Sequence, residues 1–329
     1  MSRGFDGFEI DDFRDSDFGS GREVGRGSSS DWNARTKLQE IHRTEDRADG
    51  LDREGRKSSG RERSLLAREE RVQAILSQRT RTQYTDRDRK YSLRDSEVHT
   101  LSEVGKFRVI AAKDLAEFAY NGDRPRMEND VRNLVRQGLV AQRGTSVLKK
   151  DSRQVLTLTK PGQHLIRREW FVSDEQAIYQ GLVKPKEAHH DADLYRLYHK
   201  AADDIESKGG KVLRVTLDYE LKEKLYRKLG EAQARKDEHM AQRKQGFARE
   251  LHLPIVHGKV SFPDMRIEYE TQDGDRARVD LELATGHYHA QHLAEKARAG
   301  FAIYARPEDA GGLRRVRDER EITTAILSL

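Results

Sequence analysis

The chain has no cysteine in 329 residues, which excludes disulfides and thiolate-held zinc and suits a reducing compartment. No run approaches the ~18 apolar residues of a membrane span, and Met1 to Phe13 is acidic without an apolar stretch, so no signal peptide is legible. A cytoplasmic protein with no membrane partner is expected. Aliphatic residues are nearly missing from the first 60 or so positions, which are Gly, Ser, Asp and Arg with scattered Phe. Such a segment buries too little to offset its ordering entropy and reads as disordered. What is abundant is charge: 36% of residues are charged, and the mean hydropathy is -0.92, so much of the length is not core. The net charge of +5 is only mildly basic, and any case for a nucleic-acid partner rests on where the cations fall.

The most regular stretch runs from Phe262 to Lys296. Met265, Ile267 and Tyr269 alternate on one strand, and Val279, Leu281 and Leu283 alternate on the next. A two-residue Asp273-Gly274 loop would set apolar against charged partners. A three-residue loop, Gln272-Asp273-Gly274, with the glycine in the left-handed position of a bulge, pairs Met265 with Leu281, Ile267 with Val279, Tyr269 with Ala277 and Arg266 with Asp280. Because a one-residue slip flips every side chain, the pattern selects the longer loop. Asp264 then faces Glu282, with Cβ atoms roughly 5 Å apart. Two readings stay open: a solvated sheet face that tolerates the repulsion, or a site for a hard divalent ion, Mg2+ or Mn2+.

Taken in order, residues 1–94 form a disordered, charged region holding a short amphipathic helix at about 61–79 (Leu65, Val72, Ile75, Leu76), docked or partner-binding. Arg79 to Arg94 reads as a linker. From Asp95 the composition turns globular. Ser96 to Val104 is a helix ended by Gly105, Ala111 to Tyr120 a second, and Arg124 to Gln137 a third, capped by Asp123 and closed by Gly138. A β-hairpin with the basic tip Lys149-Lys150 follows. Three helices and a hairpin, with the phrases Arg132-Asn133-Leu134-Val135-Arg136-Gln137-Gly138 and Leu156-Thr157-Leu158-Thr159-Lys160-Pro161-Gly162, resemble the winged helix-turn-helix fold over 95–168. That resemblance implies duplex-DNA contact by Arg124, Arg126, Asn129, Arg132, Asn133 and Arg136 on the third helix, and by Lys149, Lys150 and Arg153 on the wing.

After a connector at 169–188, the order from His189-His190-Asp191 onward is helix, strand, a helical insertion at about 219–250, two strands, helix and strand through 305. A tail helix at 306–329 ends in Ile322, Ala325, Ile326 and Leu327. This layout, with Pro263-Asp264 and Asp280-Leu281-Glu282, resembles the PD-(D/E)XK nuclease-like core. The fold class expected is therefore α+β and multidomain, a winged helix-turn-helix domain followed by an α/β PD-(D/E)XK-like domain. Together the two parts resemble the replication-relaxation family of plasmid and mobile-element proteins, which implies DNA-associated work in replication or mobilisation.

In the nuclease pattern Asp264 and Glu282, with Asp280 as a further oxygen donor, would hold the ion. The lysine of the motif is replaced by Ala284, and Lys296 on the following helix is the candidate substitute. His289 and His292, three apart on a helix beside His287, have a spacing zinc can use. Three functions follow: a DNA-binding protein with a nuclease-like scaffold, a Mg2+-dependent endonuclease using Asp264, Glu282 and Lys296, or a docking module that takes a protein partner through the 61–79 helix or the tail.

Overall fold

The structure is a computed structural model describing residues 65–145, 153–169, 171–181, 187–234, 240–286, 288–319 and 325–329. The disorder expected before residue 60, the wing tip at Lys149-Lys150, Trp170, His287 and Ile322 lie outside those residues.

Helix α1 covers 65–77 and is docked, with Val72 and Leu76 buried. Arg79 to Arg94 is not a linker. It carries the hairpin of β1 (Thr82–Asp86) and β2 (Arg89–Leu93), whose Tyr91 and Leu93 enter the core. Most of the dense charges there are exposed on a two-stranded ribbon, while Asp86 is buried against His164 and Arg168, and composition alone does not separate that from a solvated coil.

Helix α2 (Asp95–Phe107) starts where the Glu97 carboxylate accepts the Arg94 N–H at 2.8 Å. Gly105 does not end it. A Cβ at Gly105 would lie 2.9 Å from Ile178 Cγ2, so this glycine serves close packing, and the helix instead stops at Arg108, whose φ is 64°. Strand β3 (Ile110–Ala111), α3 (Ala112–Ala119) and α4 (Arg124–Arg136) follow. In α4, Asp123 accepts the Arg126 N–H at 3.1 Å, and Gly138 closes the helix at φ 73°. Strands β4 (Val140–Thr145) and β5 (Arg153–Leu158) complete a three-stranded sheet of order β3-β5-β4, and α5 (Lys160–Arg168) caps it.

Helix α6 (Ala188–Ser207) leads into a second sheet of order β12-β11-β10-β9-β6. Its strands are β6 (Lys211–Leu217), β9 (Met265–Glu270), β10 (Arg276–Ala284), β11 (Ala302–Ala305) and β12 (Ile326–Ser328). The excursion between β6 and β9 holds α7 (Asp218–Ala234), α8 (Met240–Glu250) and the small hairpin of β7 (Ile255–Val256) and β8 (Lys259–Val260). Strands β10 and β11 are parallel, so a crossover must join them, and α9 (Ala290–Arg298) is that crossover. The tail is a helix followed by a strand: α10 (Pro307–Glu319) turns back, and β12 pairs in parallel with β11. Ile326 thereby reaches the core, which a helix ending in solvent would not achieve.

The β9–β10 register pairs Met265 with Leu281, Ile267 with Val279 and Arg266 with Asp280. Thr271 N–H bonds the Asp275 carbonyl at 2.8 Å, leaving Gln272-Asp273-Gly274 as the loop, with Gly274 at φ 85°. The opposite face is exposed at Glu270, Arg276 and Arg278, but near the acids it is covered: Arg266 is 4% exposed and bonded to the Leu251 and His252 carbonyls of the excursion, and Glu282 is 1% exposed beneath Lys296 and Tyr288. One apolar cluster runs from Val72 through Phe107, Leu139, Tyr195 and Ile267 to Tyr304, so the three-stranded and five-stranded sheets share a core. Among the described residues, no helix is long and apolar enough to cross a membrane.

Candidate functional site

Asp264 follows buried Pro263 at the mouth of β9, and Glu282 lies one step beyond the last ladder pair, Met265 with Leu281. Their closeness follows from the hairpin register. The Leu283 N–H donates to Asp264 Oδ2 at 2.8 Å, which orients the first carboxylate. Lys296 reaches across from α9, its Nζ lying 2.8 Å from Glu282 Oε1 and 2.7 Å from the Phe262 carbonyl. The Tyr288 hydroxyl donates to Glu282 Oε1 at 2.6 Å. From the first turn of α6, His190 Nε2 stands 3.4 Å from Asp264 Oδ2, and its Nδ1 is 3.8 Å from Asp191. The cluster thus draws on α6, β9, β10 and α9.

Ala284 explains why the lysine arrives from elsewhere. It is fully buried against Leu293, Ile303 and Ala305, where a lysine would put an unpaired ammonium into apolar packing.

Electrostatics divides the two acids. Burial and the neighbouring Asp264 charge push the Glu282 carboxyl up to about 7, with Lys296 and Tyr288 pulling the other way. For Asp264 burial also favours the neutral form, but the His190 contact and charge, the Leu283 N–H and Lys296 outweigh it and hold the group below the ordinary carboxylate range. Burial opposes the charge on His190, yet Asp191 and Asp264 raise it to about 10. Glu282 Oε2 is buried with no hydrogen-bond partner. An unpartnered carboxyl oxygen beside a second carboxylate is an oxygen pair of the kind that, once deprotonated, Mg2+ or Mn2+ takes.

Asp280 does not join this set. Arg266 grips it at 2.6 and 2.9 Å and spends its remaining donors on the Leu251 and His252 carbonyls, so Asp280 anchors the excursion to the sheet. His289 is exposed at the start of α9, while the His292 ring stacks on Tyr288 at 4.6 Å, and burial with the Lys296 charge depresses its pKa. Among the described residues, which do not include His287, no three His, Asp or Glu side chains gather as a metal-holding group, either at these histidines or at the acidic pair.

On α4, Asn129, Arg132 and Arg136 are exposed, Arg126 is half-buried, and Arg124 pairs with Glu128 at 2.7 Å. Asn133 points inward: it is 7% exposed, its amide donates to Glu97 Oε1 at 2.8 Å, and Arg136 bonds its carbonyl. It is a structural residue of the α2–α4 contact rather than a base reader. Lys149 and Lys150 lie outside the described residues, and of Arg153 only the backbone, paired with Thr145, is described. The two segments expected to take a protein partner also make internal contacts, and Leu66 of α1 stays exposed. Arg68 and Arg71 on α1 pair with Asp203 and Glu206 of α6, and the tail strand completes the sheet.

Sequence reasoning missed His190 and Tyr288 as members of the cluster. The signal for His190 was the doubled histidine before an aspartate at a helix start, and for Tyr288 its place between the second acid and the lysine. No protein-family model matches the chain, and no curated protein matches it in sequence.

Proposed function

We propose that this chain is a DNA-associated protein of mobile-element replication or mobilisation type, with a winged helix-turn-helix unit for duplex DNA and a PD-(D/E)XK-like unit that hydrolyses a phosphodiester. The observation that carries the hydrolytic reading is the convergence of Asp264, Glu282 and Lys296, with Lys296 Nζ 2.8 Å from Glu282. Supporting the fold assignments are the order α2, β3, α3, α4, β4, β5 and the β9–β10 hairpin joined to β11 through α9. Asp264 and Glu282 would hold the divalent cation, which when bound supplies Lewis acidity and an activated water. Lys296 bears on the negative charge that develops on the phosphate, and His190 keeps Asp264 ionised and in place. Asn129, Arg132 and Arg136 would face the duplex.

The test is nicking of supercoiled, linear and single-stranded DNA with Mg2+ or Mn2+. Cleavage is expected, and loss of at least about 100-fold in rate is expected for Asp264→Ala, Glu282→Ala and Lys296→Met, with DNA binding kept. No cleavage of any substrate by the wild-type chain refutes it. A second reading, a DNA-binding scaffold, is favoured by the cations already closed on both carboxylates, and binding without cleavage is its signature.

A further inference from the structure

Helix α7 runs past the acidic cluster and carries an unusual surface residue. Tyr226 is 52% exposed, and it is the one aromatic among the large apolar side chains exposed in the described residues. One turn earlier on the same helix comes Lys222. Its Nζ is 5.9 Å from the Phe262 ring centroid, and the Phe262 carbonyl receives Lys296. Burial opposes the charge on the same amine, while Asp218 first, and then Asp264 and Tyr226, favour it. Contacts thus link Glu282 to Lys296, Lys296 to Phe262 and Phe262 to Lys222, and Tyr226, four residues on, shares the helix face of Lys222. Lys222 rests on Asp218 at 2.6 Å in an exposed (i, i+4) pair, the weak kind that a phosphate can displace.

A cation followed by an exposed aromatic suits a strand whose bases are unstacked, since only a freed base offers its face to a ring. Paired bases in a duplex present edges and phosphates instead. We propose that Lys222 and Tyr226 form a subsite for an unpaired DNA strand beside the acidic cluster, Lys222 taking a phosphate and Tyr226 stacking on a base. Its location rests on the phosphodiester reading above, and its own chemistry does not.

Fluorescence anisotropy of a labelled oligothymidylate with the full chain, in EDTA so that no cleavage intervenes, tests it. Tyr226→Ala is expected to weaken strand binding about tenfold, with Tyr226→Trp restoring it. Lys222→Ala is expected to lower the log-log salt slope by about 0.7. Affinity for a labelled duplex should stay unchanged in all three variants. Wild-type affinity in Tyr226→Ala, a Trp variant as weak as the Ala variant, or no strand binding by the wild-type chain overturns the proposal. Tyrosine-dependent strand binding without any cleavage supports this subsite while refuting the hydrolytic reading. Nicking together with strand binding indifferent to Tyr226 does the reverse.

Discussion

Glu282 is 1% exposed and stands beside a second carboxylate, so its negative charge depends on Lys296. Because its folded pKa of about 7 lies above the usual value near 4.5, the folded chain holds this proton more tightly than the unfolded chain. Its contribution is therefore greatest below about pH 4.5 and is lost as pH rises through 7. Removing the lysine sharpens that dependence. Lys296→Met is expected to cost about 3 kcal/mol at pH 8, the scale of an uncompensated buried charge, and distinctly less at pH 5, where Glu282 takes up a proton. Urea midpoints at the two pH values check this, and equal losses at both would show that Glu282 is not the charge Lys296 compensates. Adding Glu282→Gln to Lys296→Met should recover most of the loss at pH 8. The two acids were legible from strand alternation, because register is a local property of sequence. His190 was not, since it is 74 residues from Asp264 in the chain (264 − 190) and only the packing of α6 on the sheet brings them together.

At the level of elements, α2 and α4 are locked by two buried carboxylates. Glu97 takes both terminal nitrogens of the Arg81 guanidinium at 2.8 and 2.9 Å as well as the Asn133 amide. Asp130 takes Ser96 at 2.6 Å and Arg94 at 3.2 Å. Asn133 and Arg132 are chain neighbours on one helix, the first buried and the second exposed, and substitution should separate their roles. Asn133→Ala is expected to lower unfolding stability by about 1–3 kcal/mol, the cost of a buried charged acceptor losing a donor, with no change in DNA sequence preference. Arg132→Ala should leave stability within about 0.5 kcal/mol and weaken duplex binding while reducing its salt slope by about one unit. Thermal melts and anisotropy titrations read both, and the reversed pattern would put Asn133 at the DNA. Helical periodicity alone could not assign Asn133, because a polar residue at the boundary of the apolar stripe is compatible with either face. Short elements were equally hard to read. In β12, Ile326, Leu327 and Ser328 carry too little alternation to distinguish a strand from a helix end, and only the open edge of β11 decides it.

For the whole molecule, a chain of this length ordinarily divides into domains with separate cores, yet α6 belongs to both sheets. On one side Tyr195 and Tyr198 meet Phe107 at 5.1 and 5.0 Å, and Arg196 pairs with Asp114 and with Glu117. On the other, α6 packs against β6, β9 and β10, and Asp193 pairs with Arg306. Separating the sheets would strip apolar cover from one face of α6 and expose Phe107, so partial unfolding gains little entropy relative to the area it uncovers. Calorimetry of the full chain is therefore expected to give a single transition with matching calorimetric and van't Hoff enthalpies. Tyr195→Ala should lower that one transition as a whole, by about 3–5 kcal/mol as for other large aromatic truncations, and hydrogen exchange should show β5 and β9 losing protection together. Two resolved transitions, or β9 protection untouched by Tyr195→Ala, would mean that α6 joins two independently stable domains. Coupled unfolding would also tie the spacing between α4 and the acidic cluster to the shared core rather than to a swinging connector.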